Sequence, residues 1–394
     1  MKVKGFSAAA VQAGIRYPDR LDLGLIYSEV PAVTAGVFTI NQVKAAPVIL
    51  DMERLRQGRA QAILVNSGNA NACTGVQGMK IAKETGAMAA DALGIDEELV
   101  LVASTGVIGE QLDPKPFTQA VPRLVDKVSA DGFDDLARAI MTTDTVPKTS
   151  SATIYIDDTE VRLLGVAKGS GMIMPNMATM LCFVVTDAQI VFSVLKDAVK
   201  TGVELSFNRI TVDGDTSTND MVLVMANGAA GNEWIDEENP KARKVFSDAL
   251  HTIFKDLALQ IVKDGEGATK LVTVRVVGAR DREGAISAAR TIANSPLVKT
   301  AFFGEDANWG RIIAALGRSG CYFRPDRVSI AFDDVIMVES GLSRGKEVED
   351  AASEVLKHKE FTVTVDLRDG MEAAEFLTCD FSYDYVKINA DYRS

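Results

Sequence analysis

The sequence predicts an α/β or α+β fold with mixed sheets. Two observations lead there. Short β-branched runs that end in glycine turns alternate with stretches whose apolar residues recur at helical spacing, and no fixed-period repeat runs through the chain. Hydrophobic residues make up 47% of the 394, enough for a substantial core and too many for extensive disorder. At roughly 100–200 residues per domain, a chain of this length predicts two or more lobes.

Taken in order, "AILVNSG" (62–68) and "LVLVASTG" (99–106) read as buried strands. The helical pattern "GVQGMKIAKETGAMAADALG" lies between them, and "PFTQAVPRLVDKV" and "FDDLARAIM" continue it. "ATIYIDDTEVRLLGVAKG" predicts a hairpin about Asp157-Asp158. Next come a strand ("MLCFVVTD"), a helix ("AQIVFSVLKDAVKTGVELSF") and another strand ("MVLVMANG"). A long helix follows over "KARKVFSDALHTIFKDLALQIVKDG". The last third predicts strand "LVTVRVVGA", helix "REGAISAARTIANS", strand "VKTAFFGED" and helix "NWGRIIAALGR". Strands at "RVSIAF", "FTVTVDLRD" and "EAAEFLTCD" complete it.

Composition removes several functional classes. The net charge is −12 and no basic patch is visible, which argues against nucleic acid as a partner. The longest uncharged window, Ser170–Thr186, contains Pro175, Asn176 and several Gly and Thr, so no membrane span is expected. The N-terminal small-residue run is a poor secretory signal, and the expected location is cytoplasmic. Cys73, Cys182, Cys321 and Cys379 are far apart in sequence and form no CxxC pair; small buried hydrophobes in a reducing compartment is the simplest account. No metal motif of the HExxH kind is present, and no metal is expected.

The catalytic inventory is short of histidine. His251 lies in a helical pattern and His358 in a charged segment, and neither neighbours a plausible nucleophile. An enzyme without a histidine base can use an N-terminal nucleophile, whose own α-amine takes the hydroxyl proton. With an ordinary pKa of about 7.7–8.0, that amine is substantially neutral near physiological pH. "SGMIMPNMATMLCFVVTD" (170–187) places Thr179 after the small residue Ala178, with Pro175 disfavouring a helix there. Attack of the Thr179 hydroxyl on the Ala178 carbonyl gives an ester that water opens, which frees the amine. Alone, such a threonine is far more often an ordinary strand residue.

Its company changes that weighting. "KGSGMIMPNMATM" (168–180) resembles the self-processing motif of the ornithine acetyltransferase family of arginine biosynthesis, also called glutamate N-acetyltransferase. "NSGNANACTG" (66–75), "ASTGVIG" (103–109), "MTTDT" (141–145) and "DGDTSTND" (213–220) look like further family signatures. So do "KDGEGATK" (263–270), "GEDANWGR" (304–311) and "INADYRS" (388–394), and together they run in family order over nearly the whole chain.

The resemblance implies a two-lobed ornithine-acetyltransferase-type fold with its active site where two chains meet. These would be an α chain (1–178) and a β chain (179–394), produced by cleavage between Ala178 and Thr179 and assembled as α2β2. Thr179 would accept acetyl from N-acetylornithine and pass it to glutamate, a ping-pong cycle that needs no cofactor. Bifunctional members also take acetyl-CoA as donor, and no residue here separates them from the others. By the same resemblance Thr105 and Gly106 form the oxyanion pair, and Thr142, Lys168, Glu266, Asn389 and Ser394 bind substrate. Lys168 suits the carboxylate, and Glu266 the ammonium end or the ordering of the site. The "TVDGDTSTND" cluster lacks the acid of a calcium loop at the required distance and reads as an ordered turn beside the site with no catalytic role. "STGVIG" lacks the rest of a phosphate loop. Trp309 and Arg311 are left between packing and binding. Two other functions stay open: an N-terminal-nucleophile peptidase or amidase that resolves its acyl-enzyme with water, and a metabolite-binding protein that is never cut.

Overall fold

The alternating patterns fold into two separate mixed sheets, each in its own compact unit of the computed structural model, which describes residues 1–174 and 180–391. Among the described residues, one unit is built from Met1–Asn208 with Asp215–Ile261, the other from Arg209–Gly214 with residues 262–391.

The strands in chain order are β1 (Phe6–Val11), β2 (Leu23–Phe38), β3 (Arg59–Asn69), β4 (Val100–Val107), β5 (Lys148–Ile156), β6 (Thr159–Lys168), β7 (Leu181–Thr186), β8 (Ile210–Thr211) and β9 (Met221–Ala226). The first unit's sheet runs β4-β3-β2-β9-β7-β6-β5, with β1 also paired to β2. Of its pairings, β3–β4 and β7–β9 are parallel. Each parallel pair needs a crossover. The helix Gly75–Leu93 makes the first, ending at Gly94 in the left-handed region (φ 67°), and the helix Phe192–Leu205 lies in the second. Along β3 the side chains alternate between two cores. Ile63 and Val65 join one, and Ala62 and Leu64 the other, so the strand is buried on both faces and reads as a continuous apolar run.

This sheet draws strands from both sides of residues 175–179. The β6–β7 pairing joins Leu163–Lys168 to Leu181–Thr186, and β2–β9 joins Val33–Phe38 to Met221–Ala226. Two strands near the N-terminus escape the sequence reading, β1 and the sixteen-residue β2. Pro31 and glycines at 24 and 36 break the pattern of β2; the β2–β3 register shifts between Tyr27 and Ala32, and that irregularity is where Pro31 is accommodated.

The second unit carries β8 with β10 (Leu271–Ala279), β11 (Ser329–Phe332), β12 (Val335–Glu339), β13 (Leu342–Ser343), β14 (Glu360–Asp366) and β15 (Glu372–Cys379). Its order is β13-β12-β11-β14-β10-β15-β8. Val272, Val274 and Val276 of β10 and Val363 and Val365 of β14 supply one face of its core. Ala288, Ile292, Phe302 and Ile312 from three helices cover it. One expectation fails here: "VKTAFFGED" is not a strand but the helix Pro296–Phe303. Ser295 and Pro296 start it, because proline at the first helical position has its φ preset and needs no N–H partner. Burial of Val298, Ala301 and Phe302 at helical spacing outweighs β propensity.

Candidate active site

β3 and β4 end side by side, with Ser67 opposite Thr105 and Gly68 opposite Gly106. The backbones approach so closely that a Cβ on Gly106 would lie 2.3 Å from the Gly68 carbonyl carbon, and Gly106 has φ 132°. Only glycine fits. Thr105 is buried, and its hydroxyl accepts a hydrogen bond from Lys168 Nζ (3.3 Å). A hydroxyl that accepts there keeps its own proton for another acceptor.

Lys168 ends β6, and the hairpin brings it back beside the "MTTDT" turn. Its ammonium donates to Thr142 Oγ1 (2.9 Å) as well as to Thr105, so three residues of the expected site meet in one cluster, Lys168 and Thr105 buried and Thr142 half-buried. A second tier holds it. Asp144 Oδ1 accepts from Lys148 Nζ (2.8 Å) and from the Gly169 N–H (2.7 Å), and Oδ2 accepts from the Thr142 N–H (3.0 Å). Lys148 starts β5 directly opposite Ala167, and neither it nor Asp144 exposes any side chain (0%). Burial alone would push the Asp144 carboxyl up. The charges of Lys168 and Lys148 and the hydrogen bonds from Lys148 and Thr142 outweigh it, and the group is lowered to about 2.

The "DGDTSTND" segment closes the other side. Asn219 Nδ2 donates to the carbonyls of Ala70 (2.6 Å) and Ser104 (2.7 Å). Ser104 Oγ donates to Asn66 Oδ1 (2.6 Å), and Asn66 Nδ2 to the Asn69 carbonyl (3.0 Å). Three signatures far apart in sequence thus converge at the ends of β3 and β4. Asp220 Oδ1 accepts from the Met180 N–H (2.9 Å), while the Met180 carbonyl accepts from the Met221 N–H (3.1 Å). Burial pushes the Asp220 carboxyl well above the usual range, against the pull of the Met180 N–H and of Lys168.

Thr179 and Ala178 lie outside the described residues, as does Ser394; Met180, bonded to Thr179, is the first described residue after the gap. In the second unit Glu266 is buried and accepts from Asn389 Nδ2 (2.8 Å), with Asn389 on the helix Tyr383–Asp391. The C-terminal stretch is therefore helical as far as Asp391. Trp309 packs on the second core, and Arg311 donates to the Leu297 carbonyl (2.8 Å) and Thr300 Oγ1 (3.2 Å), so both have structural partners. His251 is half-buried beside the Ala198 carbonyl, its pKa lowered by burial, and His358 is exposed. Cys182 and Cys379 are buried as expected, Cys321 partly so, whereas Cys73 is exposed. Among the described residues no group of three or more His, Cys, Asp or Glu is arranged to hold a metal, and no helix is long and apolar enough to cross a membrane.

Sequence reasoning missed Asp144, Lys148, Asn219 and Asp220. Asp144 and the Asn-Asp pair sat inside quoted signatures. Lys148, four residues after Asp144, gave the only spacing signal.

The profile of the ArgJ family matches residues 7–394. The arginine biosynthesis bifunctional protein ArgJ of Desulfotalea psychrophila is 58% identical over 394 residues, the whole of both chains. Its counterpart in Geobacter sulfurreducens is 53% identical over the same span. Among solved structures, the arginine biosynthesis bifunctional protein ArgJ from Bacillus halodurans is 44% identical with a TM-score of 0.50. That match covers 52% of this chain and 96% of the solved one, so the solved chain is roughly half as long. With its mixed two-sheet architecture and a full-length match, this chain is an enzyme of the ArgJ family.

Proposed function

We propose that the protein cuts itself between Ala178 and Thr179 and then moves acetyl from N-acetylornithine to glutamate through an acetyl-Thr179 ester. As a bifunctional member it also takes acetyl from acetyl-CoA. The observation that carries this reading is the meeting of buried Lys168 and Thr105 with half-buried Thr142 beside the glycine-only backbone at Gly106.

In the first step Thr179 Oγ attacks the Ala178 carbonyl, and the acyl group passes from nitrogen to oxygen. Water hydrolyses the ester, leaving the Ala178 carboxylate and a free Thr179 amine. In the second, that amine takes the hydroxyl proton as Oγ attacks the acetyl carbonyl, then returns it to the departing ornithine amine. The glutamate α-amine attacks the acetyl ester, the Thr179 amine carries a proton from the attacking nitrogen to Oγ as the acyl–Oγ bond breaks, and N-acetylglutamate leaves with the Thr179 hydroxyl restored. The Thr105 hydroxyl and the Gly106 N–H face the oxyanion in each tetrahedral intermediate; one such donor typically lowers the barrier by about 3–4 kcal/mol. Lys168 takes the substrate carboxylate, Glu266 the ammonium end, and Thr142, Asn389 and Ser394 add polar contacts. The cycle needs no cofactor and belongs in the cytoplasm.

Two facts support a cut that leaves the halves together. The β6–β7 and β2–β9 ladders would each join an α-chain strand (1–178) to a β-chain strand (179–394). The solved relative's chain has about the length that such a cut leaves. Two such pairs would make the α2β2 assembly.

Denaturing intact-mass spectrometry of the purified protein should give fragments 1–178 and 179–394, and the cut protein should form N-acetylglutamate from acetylornithine and glutamate. Thr179→Ala should stay whole and transfer nothing. Acetyl transfer by Thr179→Ala would refute the nucleophile. Acetate released without acetylglutamate would replace the transferase with the amidase reading, and a wild-type chain that never cuts would favour a binding protein.

A further inference from the structure

We propose that Asn219 and Asp220 form a positioning pair that sets the spacing between the oxyanion-binding backbone and the nucleophile. This inference rests on the acyl-transfer reading above. Two consecutive side chains reach in different directions, each to a peptide next to a reacting residue. The Asn219 amide grips the Ser104 carbonyl, whose peptide contains the Thr105 N–H. The Asp220 carboxyl grips the Met180 N–H, whose peptide contains the Thr179 carbonyl.

The pair is itself rigid. Asn219 and Asp220 are 5% and 2% exposed. Both Asn219 Nδ2 protons are used, on Ala70 and Ser104, and Oδ1 accepts from the Thr218 hydroxyl (2.6 Å). Turning the amide over would aim its oxygen at two carbonyls, so one orientation is fixed. The flanking backbone is held too: the Asp220 carbonyl accepts from the Thr39 N–H (2.9 Å) and the Thr218 carbonyl from the Ala45 N–H (2.9 Å).

Stability alone does not explain Asp220. Its carboxyl is fully buried beside the Thr39 and Ser217 hydroxyls with Oδ2 in no well-formed hydrogen bond, an arrangement that costs folding free energy and that an apolar side chain would avoid. Such a group persists where geometry at a reacting centre is selected over stability. A displacement of about 1 Å at a reacting group costs on the order of 10²-fold in rate, which is the scale on which a ruler between two catalytic peptides acts.

The test measures self-cleavage half-time by intact mass, and kcat and KM per cleaved chain, in variants of the full protein. Asp220→Ala and Asn219→Ala should each lower kcat and slow cleavage on the order of 10²-fold, with both KM values within about threefold of wild type. Asp220→Asn, which still presents Oδ1 to Met180, should recover most of that loss. Where an alanine variant does not fold, Asn219→Gln, which keeps the amide but lengthens its arm, should show the kcat loss at an unchanged melting temperature. Folded variants with wild-type rates, or raised KM at unchanged kcat, would overturn the pair. Failure of the wild type itself to cut and transfer acetyl would instead overturn the acyl-transfer reading.

Discussion

Replacing Asp144 by Asn tests the tier beneath Lys168. The substitution keeps the shape and removes one charge. Asp144 satisfies three donors: Lys148 Nζ, the Gly169 N–H and the Thr142 N–H. An amide has one oxygen and an NH2, so at least one of these donors would face another donor. At 2.8 Å the Lys148 attraction amounts to about 6 kcal/mol at an effective dielectric of 20, partly offset by desolvation of both charges. Removing one partner of a buried pair costs about 3–5 kcal/mol because the other is stranded. At ~2–4 °C per kcal/mol for a domain of this size, Asp144→Asn should lower the melting temperature of the first unit by roughly 6–20 °C. Thermal melts read by circular dichroism supply the number. The double variant Asp144→Asn/Lys148→Met should lose less than the sum of its singles, by at least about 2 kcal/mol, since it strands no ammonium at position 148. A single-variant shift under about 2 °C, or simple additivity, would refute the claim that this pair is the anchor.

The same carboxyl sets a pH dependence. Its folded pKa of about 2 lies below the ordinary 3.8, so the unfolded chain takes up the proton first as pH falls. The stabilisation, about 2 kcal/mol, is present above about pH 4 and lost on the way down to about pH 2; the stability gap between wild type and Asp144→Asn should narrow over that window in parallel urea titrations. Thr105→Val keeps the shape and deletes the hydroxyl; kcat for acetyl transfer should fall about 10²–10³-fold with the melting temperature little changed, and equal kcat would remove Thr105 from the oxyanion role. Gly106→Ala forces a Cβ to 2.3 Å from the Gly68 carbonyl carbon at φ 132°. It should cost about 2–4 kcal/mol in a denaturant melt, and a neutral result would show that the β3–β4 ends can separate.

Much of the fold was legible because local signals agreed with it. The runs that became β3, β4, β7 and β9 are apolar and bounded by turn residues, and burial on both faces rewards that composition whatever the surroundings. The helix Pro296–Phe303 was misread because a run of Val, Thr and Phe carries β propensity, while helical packing on the second core decides. β2 was hidden by residues that weaken a strand in isolation and are tolerated at a register shift.

The sequence by itself determined the family, the expected nucleophile and the residue types that its chemistry needs, because those travel in contiguous signatures. Tertiary structure decided which signatures touch. Nothing in "MTTDT" announces that its aspartate neutralises Lys148, and nothing in "TSTND" says that its last two side chains reach Ser104 and Met180. These partners are up to 115 residues apart, and only strand order and register bring them within hydrogen-bonding distance. A buried hydrogen bond is specified by three-dimensional placement to a few tenths of an ångström, and a linear sequence carries no such coordinate.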